Sequence, residues 1–290
     1  MRAGVLIKLR YGAYVQAELC KDLTDVGMMR ARSRAVLRTA HPTSVLSHQC
    51  SLAEYEVPLW GLELDQTHLT RTDGRPGRRE AGVVHHRATL GRRWWTMRDG
   101  VPLVKPARAA IEVVTAHGPE VGLVVLCGVL HLELATIADL RAVAAEARHW
   151  PHSLNTRLVL ARADARITNV AEARTWHFFH EQRVPRPEPQ VEVFDDGGNL
   201  LGIVDFLWAE LGVFLEFDGR IKYDQYKKPG ETLADYLMRE KRREEQICVA
   251  KGWTCIRITW DDLQRPVVLA RRIKQALQKR VAGAEAIAGA

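Results

Sequence analysis

Apolar and polar positions repeat with two different periods along the chain, and each change of period marks an element. Alternation with period two in "GVLIKLRYGAYV" (4–15), which ends in an aromatic pair around Gly12, predicts strand-like structure. The runs "DVGMMRARSRAVLRTA" (25–40) and "TSVLSHQCSLAEYE" (43–56) are expected as helices. "LDQTHLTRTDGRPGRREAGVVHHRATL" (64–90) reads as two strands joined by a basic loop rich in Gly and Pro. From about residue 106 the chain turns Ala/Leu/Val-rich, and "ARAAIEVVTAHG", "EVGLVVLCGVLH" and "TIADLRAVAAEAR" predict three helices, the first two punctuated by Gly118 and Pro119.

The pattern changes again near residue 165. "NVAEARTWHFFHEQRV" (169–184) predicts a helix, with Asn169 as N-cap and Glu172 in the capping-box position. "PQVEVFD", the turn "DGGN", "LLGIVDFLW" and "GVFLEFDG" predict three successive strands. Thr232 caps "LADYLMREKRREEQICVAK", Gly252 stops it, "WTCIRITW" is a further strand and "DDLQRPVVLARRIKQALQKRV" a last helix. The expected order from about residue 165 is α-β-β-β-α-β with a trailing helix. Three regions result: 1–105, mixed α/β; 106–164, helical; and 165–290, α+β.

Composition adds limits. At 290 residues, with 47% hydrophobic and 27% charged, the chain is long enough for two ordinary domains and is globular in character. Neither a membrane-spanning run nor a signal-peptide pattern is visible, so an unexported cytoplasmic protein with no membrane partner is expected. The cysteines, Cys20, Cys50, Cys127, Cys248 and Cys255, form no C-x-x-C pair and suit reduced thiols. A zinc site is not expected: His85 and His86 diverge on a strand, and His177 and His180 lack matching cysteines or acids. The formal charge of +7 is compatible with a nucleic-acid partner, and Arg71, Arg75, Arg78 and Arg79 in the basic loop could track a phosphate backbone.

The chemistry concentrates in "LEFDGRIKY" (215–223), where a strand ends on two carboxylates. Glu216 and Asp218 share one face of it, and Leu215 and Phe217 the other. A turn at Glu210–Leu211 puts Asp205 of the preceding strand opposite Glu216, with Cβ atoms about 4.5–5.5 Å apart. Opposed carboxylates repel, and three things can relieve them: a divalent cation with a preference for oxygen, a raised pKa on one acid, or basic neighbours. Arg220 and Lys222 follow the strand, and Arg239, Lys241, Arg242 and Arg243 lie on the next helix. Arg239 and Arg243 share a helix face. A cationic stripe beside an acidic metal site suits phosphodiester chemistry. The plainer alternatives are a solvated face of mixed ion pairs, or a structural network joining Asp205, Glu216 and Asp218 to Arg239 or Arg243.

A helix carrying Glu172, then "VDF", "EFDG", a basic helix, "GW" and "IRITW" is similar to the PD-(D/E)XK nuclease superfamily, nearest the branch related to very-short-patch repair endonucleases. The likeness covers about residues 165 to 275. "RYGAY", "VLSHQCSLAEYEVPLWG", "THLTR" and "DGVPLVKPARAAIEVV" resemble actinobacterial proteins that join an AbiEi-type antitoxin or regulator region to such a domain. The resemblance implies a restriction-endonuclease-like αβββαβ domain over 165–290, an AbiEi-like region over 1–105 and a metal-dependent DNA endonuclease working in phage defence, repair or a toxin–antitoxin pair. It implies Mg2+ (or Mn2+) held by Asp205 and Glu216, with Glu172 adding a ligand or holding a water. Asp218 stands where the superfamily has its lysine, and Lys222 is the basic residue expected to orient the attacking water. Arg220, Arg239, Lys241 and Arg243 are the expected DNA contacts. The likeness to AbiEi-type regulators begins inside the wing, at "GVLIKLRYGAY", so a complete winged helix is not expected. The alternative it implies is a non-catalytic antitoxin-like regulator that binds DNA, a toxin or another protein.

Overall fold

Leu6–Arg10 (β1) and Ala13–Gln16 (β2) are strands where the alternation predicts them, and they pair antiparallel across Gly12, whose φ of +74° suits the missing side chain. Asp25–Leu37 (α1) follows, its N-terminus closed by the Thr24 hydroxyl accepting from the Gly27 N–H. This computed structural model describes residues 5–75, 80–218 and 232–288, with only the backbone described at 233, 236, 237 and 284–288. The chain divides into two compact units, Met1–Val170 and Ala171–Ala290.

The run 43–56, expected as one helix, is a strand and a helix: Ser44–Leu46 (β3) and His48–Glu54 (α2). Tertiary pairing overrides the helical pattern, because β3 lies between two other strands and its three residues are buried. Thr67–Arg71 (β4) and Val83–His86 (β5) are the two strands expected over 64–90, and they pair in parallel. Trp95–Arg98 (β6) and Val101–Val104 (β7) form a hairpin at Asp99–Gly100, whose φ values of +50° and +75° are those of a type I′ turn. The five strands lie in the order β5-β4-β3-β7-β6. Met29 and Val36 of α1, Leu46, Cys50, Leu69 and Leu103 fill one core against this sheet.

Pro106–Ala116 (α3), Pro119–His131 (α4) and Ile137–Glu146 (α5) are the three helices expected, and Ser153–Leu160 (α6) is an addition. Proline at the first position of α3 and α4 needs no N–H there. These helices belong to the first unit rather than to a separate middle region. Every residue of α3 from Pro106 to Thr115 is buried, and the Ser51 hydroxyl of α2 donates to the Val104 carbonyl just before it.

The second unit has the expected order. Val170–Glu181 (α7) leads into Glu188–Phe194 (β8), Leu200–Trp208 (β9) and Val213–Phe217 (β10), then Leu233–Lys251 (α8) and Thr254–Ile258 (β11). Trp260–Leu263 (α9) and Pro266–Ala288 (α10) end the chain, so the last helix is two, parted where Pro266 cannot continue the ladder of the first. The sheet order is β11-β10-β9-β8, with β10 and β11 parallel and the other pairs antiparallel. Alternation sorts the two faces. Phe206 stacks on Trp176 of α7, and Trp208 meets Phe179 edge to face. Leu207 and Phe214 face the other way, in one core with Ile247 of α8. The architecture is therefore α+β. No described helix is long and apolar enough to cross a membrane, and all five cysteines are free.

Gly212 closes the β9–β10 connection at φ +57°, where an added Cβ would lie 2.7 Å from Arg280 Nη2 and 2.8 Å from Trp253 Cδ1. The Gly212→Ala substitution is expected to destabilise the protein by about 1–3 kcal/mol. A thermal unfolding midpoint equal to that of the wild type would contradict this turn.

Candidate functional site

Three neighbouring strands carry the charged residues of the second unit. The register Val213↔Trp208, Phe214↔Leu207, Leu215↔Phe206 puts Glu216 next in line, opposite Asp205. On the other side Glu216 pairs in register with Arg257 of β11. Asp205 and Glu216 lie on the face that Leu207 and Phe214 turn toward α8. On α8, Arg243 and Ile247 are four residues apart and share a face. Ile247 enters the core, and Arg243 reaches Glu216.

Glu216 is held closely. Arg243 Nη2 donates to both of its oxygens, at 2.9 and 2.8 Å. The same guanidinium is fixed by Nη1, which donates to the Ile203 carbonyl at 2.6 Å, and by Glu240 at 3.1 Å. Gly202 makes room for this path, since a Cβ there would lie 2.9 Å from Arg243 Cδ. Asp205 is oriented differently: its Oδ2 accepts the Phe217 N–H at 2.7 Å, and Gln190 Nε2 donates to Oδ1 at 3.4 Å. Arg257 pairs with Glu244 of α8, and lies 3.7 Å from Asp218. Asp205, Glu216, Asp218, Glu240 and Glu244 thus share this region with Arg239, Arg243 and Arg257.

The electrostatics show the strain of this arrangement. Burial raises the Glu216 carboxyl to about 7; Arg243 opposes the rise, while Asp205 and Glu240 add to it. Two of the three kinds of relief open to opposed carboxylates are present here, basic neighbours and a raised pKa. The donor atoms of the pair are all oxygen, the kind a hard divalent cation prefers.

The other expected residues are placed as follows. Glu172 lies in the first turn of α7, 2% exposed. It forms no group of three potential ligands with Asp205 and Glu216; among the described residues the one such group is His48, His68 and His86, in the first unit. Arg239 lies 3.4 Å from Glu240, and the exposed Lys241 lies 3.8 Å from Glu245. Arg220 and Lys222 fall outside the described residues, as do Arg78 and Arg79. Arg71 of the basic loop pairs with Asp73, which also accepts the Arg75 N–H.

The histidine cluster escaped the sequence reading because its members are about twenty residues apart and no local spacing joins them. Strand pairing brings them together, and only His86 of the His85–His86 pair takes part.

A carboxyl whose pKa is higher folded than unfolded favours folding when protonated. Its contribution falls as pH rises from the unfolded value, about 4.3, through the folded one, and is constant above. For Glu216 that window ends near 7. Glu216→Gln lacks it, so the stability of the variant relative to wild type is expected to rise by roughly 2–3 kcal/mol between about pH 5 and pH 8. Denaturant unfolding across that range checks this, and a constant difference would contradict it. No protein-family model, curated protein or solved structure matches this chain.

Proposed function

We propose that the second unit hydrolyses phosphodiester bonds in DNA as a metal-dependent endonuclease of the PD-(D/E)XK kind. The observation that carries this reading is the pair Asp205 and Glu216, opposed on adjacent strands in a half-buried, negatively charged setting. The order α7-β8-β9-β10-α8-β11, with β10 and β11 parallel, supports it. So does the basic helix beside the acids.

Asp205 and Glu216 would hold Mg2+ (or Mn2+), which when bound supplies Lewis-acid stabilisation of charge at phosphorus. The Phe217 N–H fixes the Asp205 carboxylate, and Arg243 fixes that of Glu216, so both present oxygens in a set direction. Arg239 and Lys241 of α8, with Arg220, attract the phosphate backbone, exchanging carboxylate partners for phosphate. Lys222 orients the water and stabilises charge at the phosphate. Asp218, 3.7 Å from Arg257, adds to the acidic surroundings, and Glu172 of α7 would add a ligand or hold a water as the likeness implies. The cellular setting that fits is repair, defence against invading DNA, or a toxin–antitoxin pair, in the cytoplasm.

A second reading is a non-catalytic, antitoxin-like regulator that binds DNA, a toxin or another protein. The close Arg243–Glu216 pair favours it, because that carboxylate is already neutralised. The two readings part in a plasmid assay. The endonuclease reading expects supercoiled DNA to be nicked with magnesium and spared with EDTA. It also expects Asp205→Ala and Glu216→Ala to slow nicking on the order of 10²–10³-fold. Metal-free, sequence-selective binding in a mobility-shift assay with no cleavage supports the regulator, and nicking undiminished in Asp205→Ala contradicts the site.

A further inference from the structure

We propose that His48, His68 and His86 form a binding site for a first-row transition-metal dication such as zinc, at the wall of a cavity in the first unit. The site is separate from the acid pair and does not rest on the nuclease reading.

The geometry comes from the sheet. The parallel register His68↔Val84 and Thr70↔His86 puts His68 and His86 one diagonal step apart on the same face of β4 and β5. His68 Nδ1 and His86 Nε2 are 2.8 Å apart. His48, at the start of α2, stacks its ring on that of His86 at 3.6 Å between centroids, 5.5 Å from that of His68. Its backbone has φ +51°, a conformation non-glycine residues rarely adopt, and Glu112 holds it by accepting the His48 N–H at 3.2 Å. One ring nitrogen from each histidine lies within 4.8 Å of the other two. Zinc–nitrogen bonds of about 2.0–2.1 Å in a tetrahedral site put ligating nitrogens about 3.3 Å apart, so zinc binding would draw the more distant nitrogens inward and part His68 and His86 slightly.

The surroundings suit such an ion. Burial keeps all three imidazoles in the neutral form that ligates metals: His48 well below its ordinary range, His68 down to about 3 and His86 to about 4. His48 Nδ1 pairs with Ser47 Oγ at 3.1 Å and lies 3.5 Å from the Glu112 carboxylate, partners of the kind that orient a ligating histidine through its other nitrogen. Arg108 holds Glu112 in turn at 3.0 Å. His68 Nε2 faces the Gln49 side-chain amide at 2.9 Å, and Gln49 Oε1 is buried without a partner among the described residues. When His68 ligates through Nδ1, its proton passes to Nε2, and a turned Gln49 amide accepts it through that oxygen. His48, His86 and Glu112 line a cavity of about 580 Å³, with Thr70, Arg108 and Trp150 also on its wall. Three protein nitrogens, two of them on histidines that line a cavity, match the ligand set of a zinc site that keeps an open position. Imidazole donors select zinc, copper, iron or nickel over magnesium.

The test uses the full chain, stripped of metal by chelator and kept in excess Mg2+ so that oxygen-only sites are filled. Zinc is titrated by calorimetry, and cobalt(II) by visible absorption. The expectation is one zinc per chain and the strong visible bands of four- or five-coordinate cobalt. His68→Ala and His86→Ala, checked for folding by circular dichroism, are expected to weaken zinc more than about 100-fold, beyond the usual outer-shell effect. His180→Ala, at an exposed residue of the second unit, is expected to leave it unchanged. Should both cluster variants unfold, X-ray absorption at the zinc edge of the wild type decides, and imidazole scattering from three ligands is required. A wild-type chain that takes up no zinc, folded variants that bind as the wild type does, or an edge spectrum without that scattering would overturn the site.

Discussion

The second unit is organised around a carboxylate placed where water cannot fully reach it. Glu216 lies in an interior strand with Asp205 opposite it, Arg257 beside it in register and Arg243 across it. A buried charge is stable only when paired, and like charges at neighbouring strand positions raise the cost. The guanidinium that offsets the charge is itself positioned by the core. One turn along α8, Ile247 packs against Phe214 and Leu207, and this anchors the helix that carries Arg243. The missing side chain of Gly202 lets Arg243 cross the sheet. Packing and electrostatics are thus coupled through one helix face.

This coupling explains why the acid pair has two readings. The contacts that make Glu216 tolerable also direct its oxygens, and orientation serves a metal ligand as well as a structural ion pair. What separates the two is whether a divalent cation takes the place of the Arg243 contact at the Glu216 oxygens.

Much of the second unit could be read from the sequence, because its signals are local. Thr232 and Gly252 bound α8, "DGGN" turns β8 into β9, and alternation sorts Glu216 from Phe217. The opposition of Asp205 and Glu216 followed from one turn position. The first unit was less legible where long-range pairing decides. Ser44–Leu46 has a helical pattern and becomes a strand because β4 and β7 flank it. The histidine cluster is the extreme case. Two members depend on the parallel register of β4 and β5, the third on the entry into α2, and no spacing along the chain records either.

The central claim is that Asp205 and Glu216 together form a divalent-cation site. The most direct measurement is a calorimetric titration of the metal-stripped chain with Mn2+, whose preference for oxygen donors sets it apart from zinc. Saturable binding in the wild type, lost in both folded Asp205→Asn and Glu216→Gln, is the predicted result. Absence of binding in the wild type, or equal binding in both variants, would contradict it.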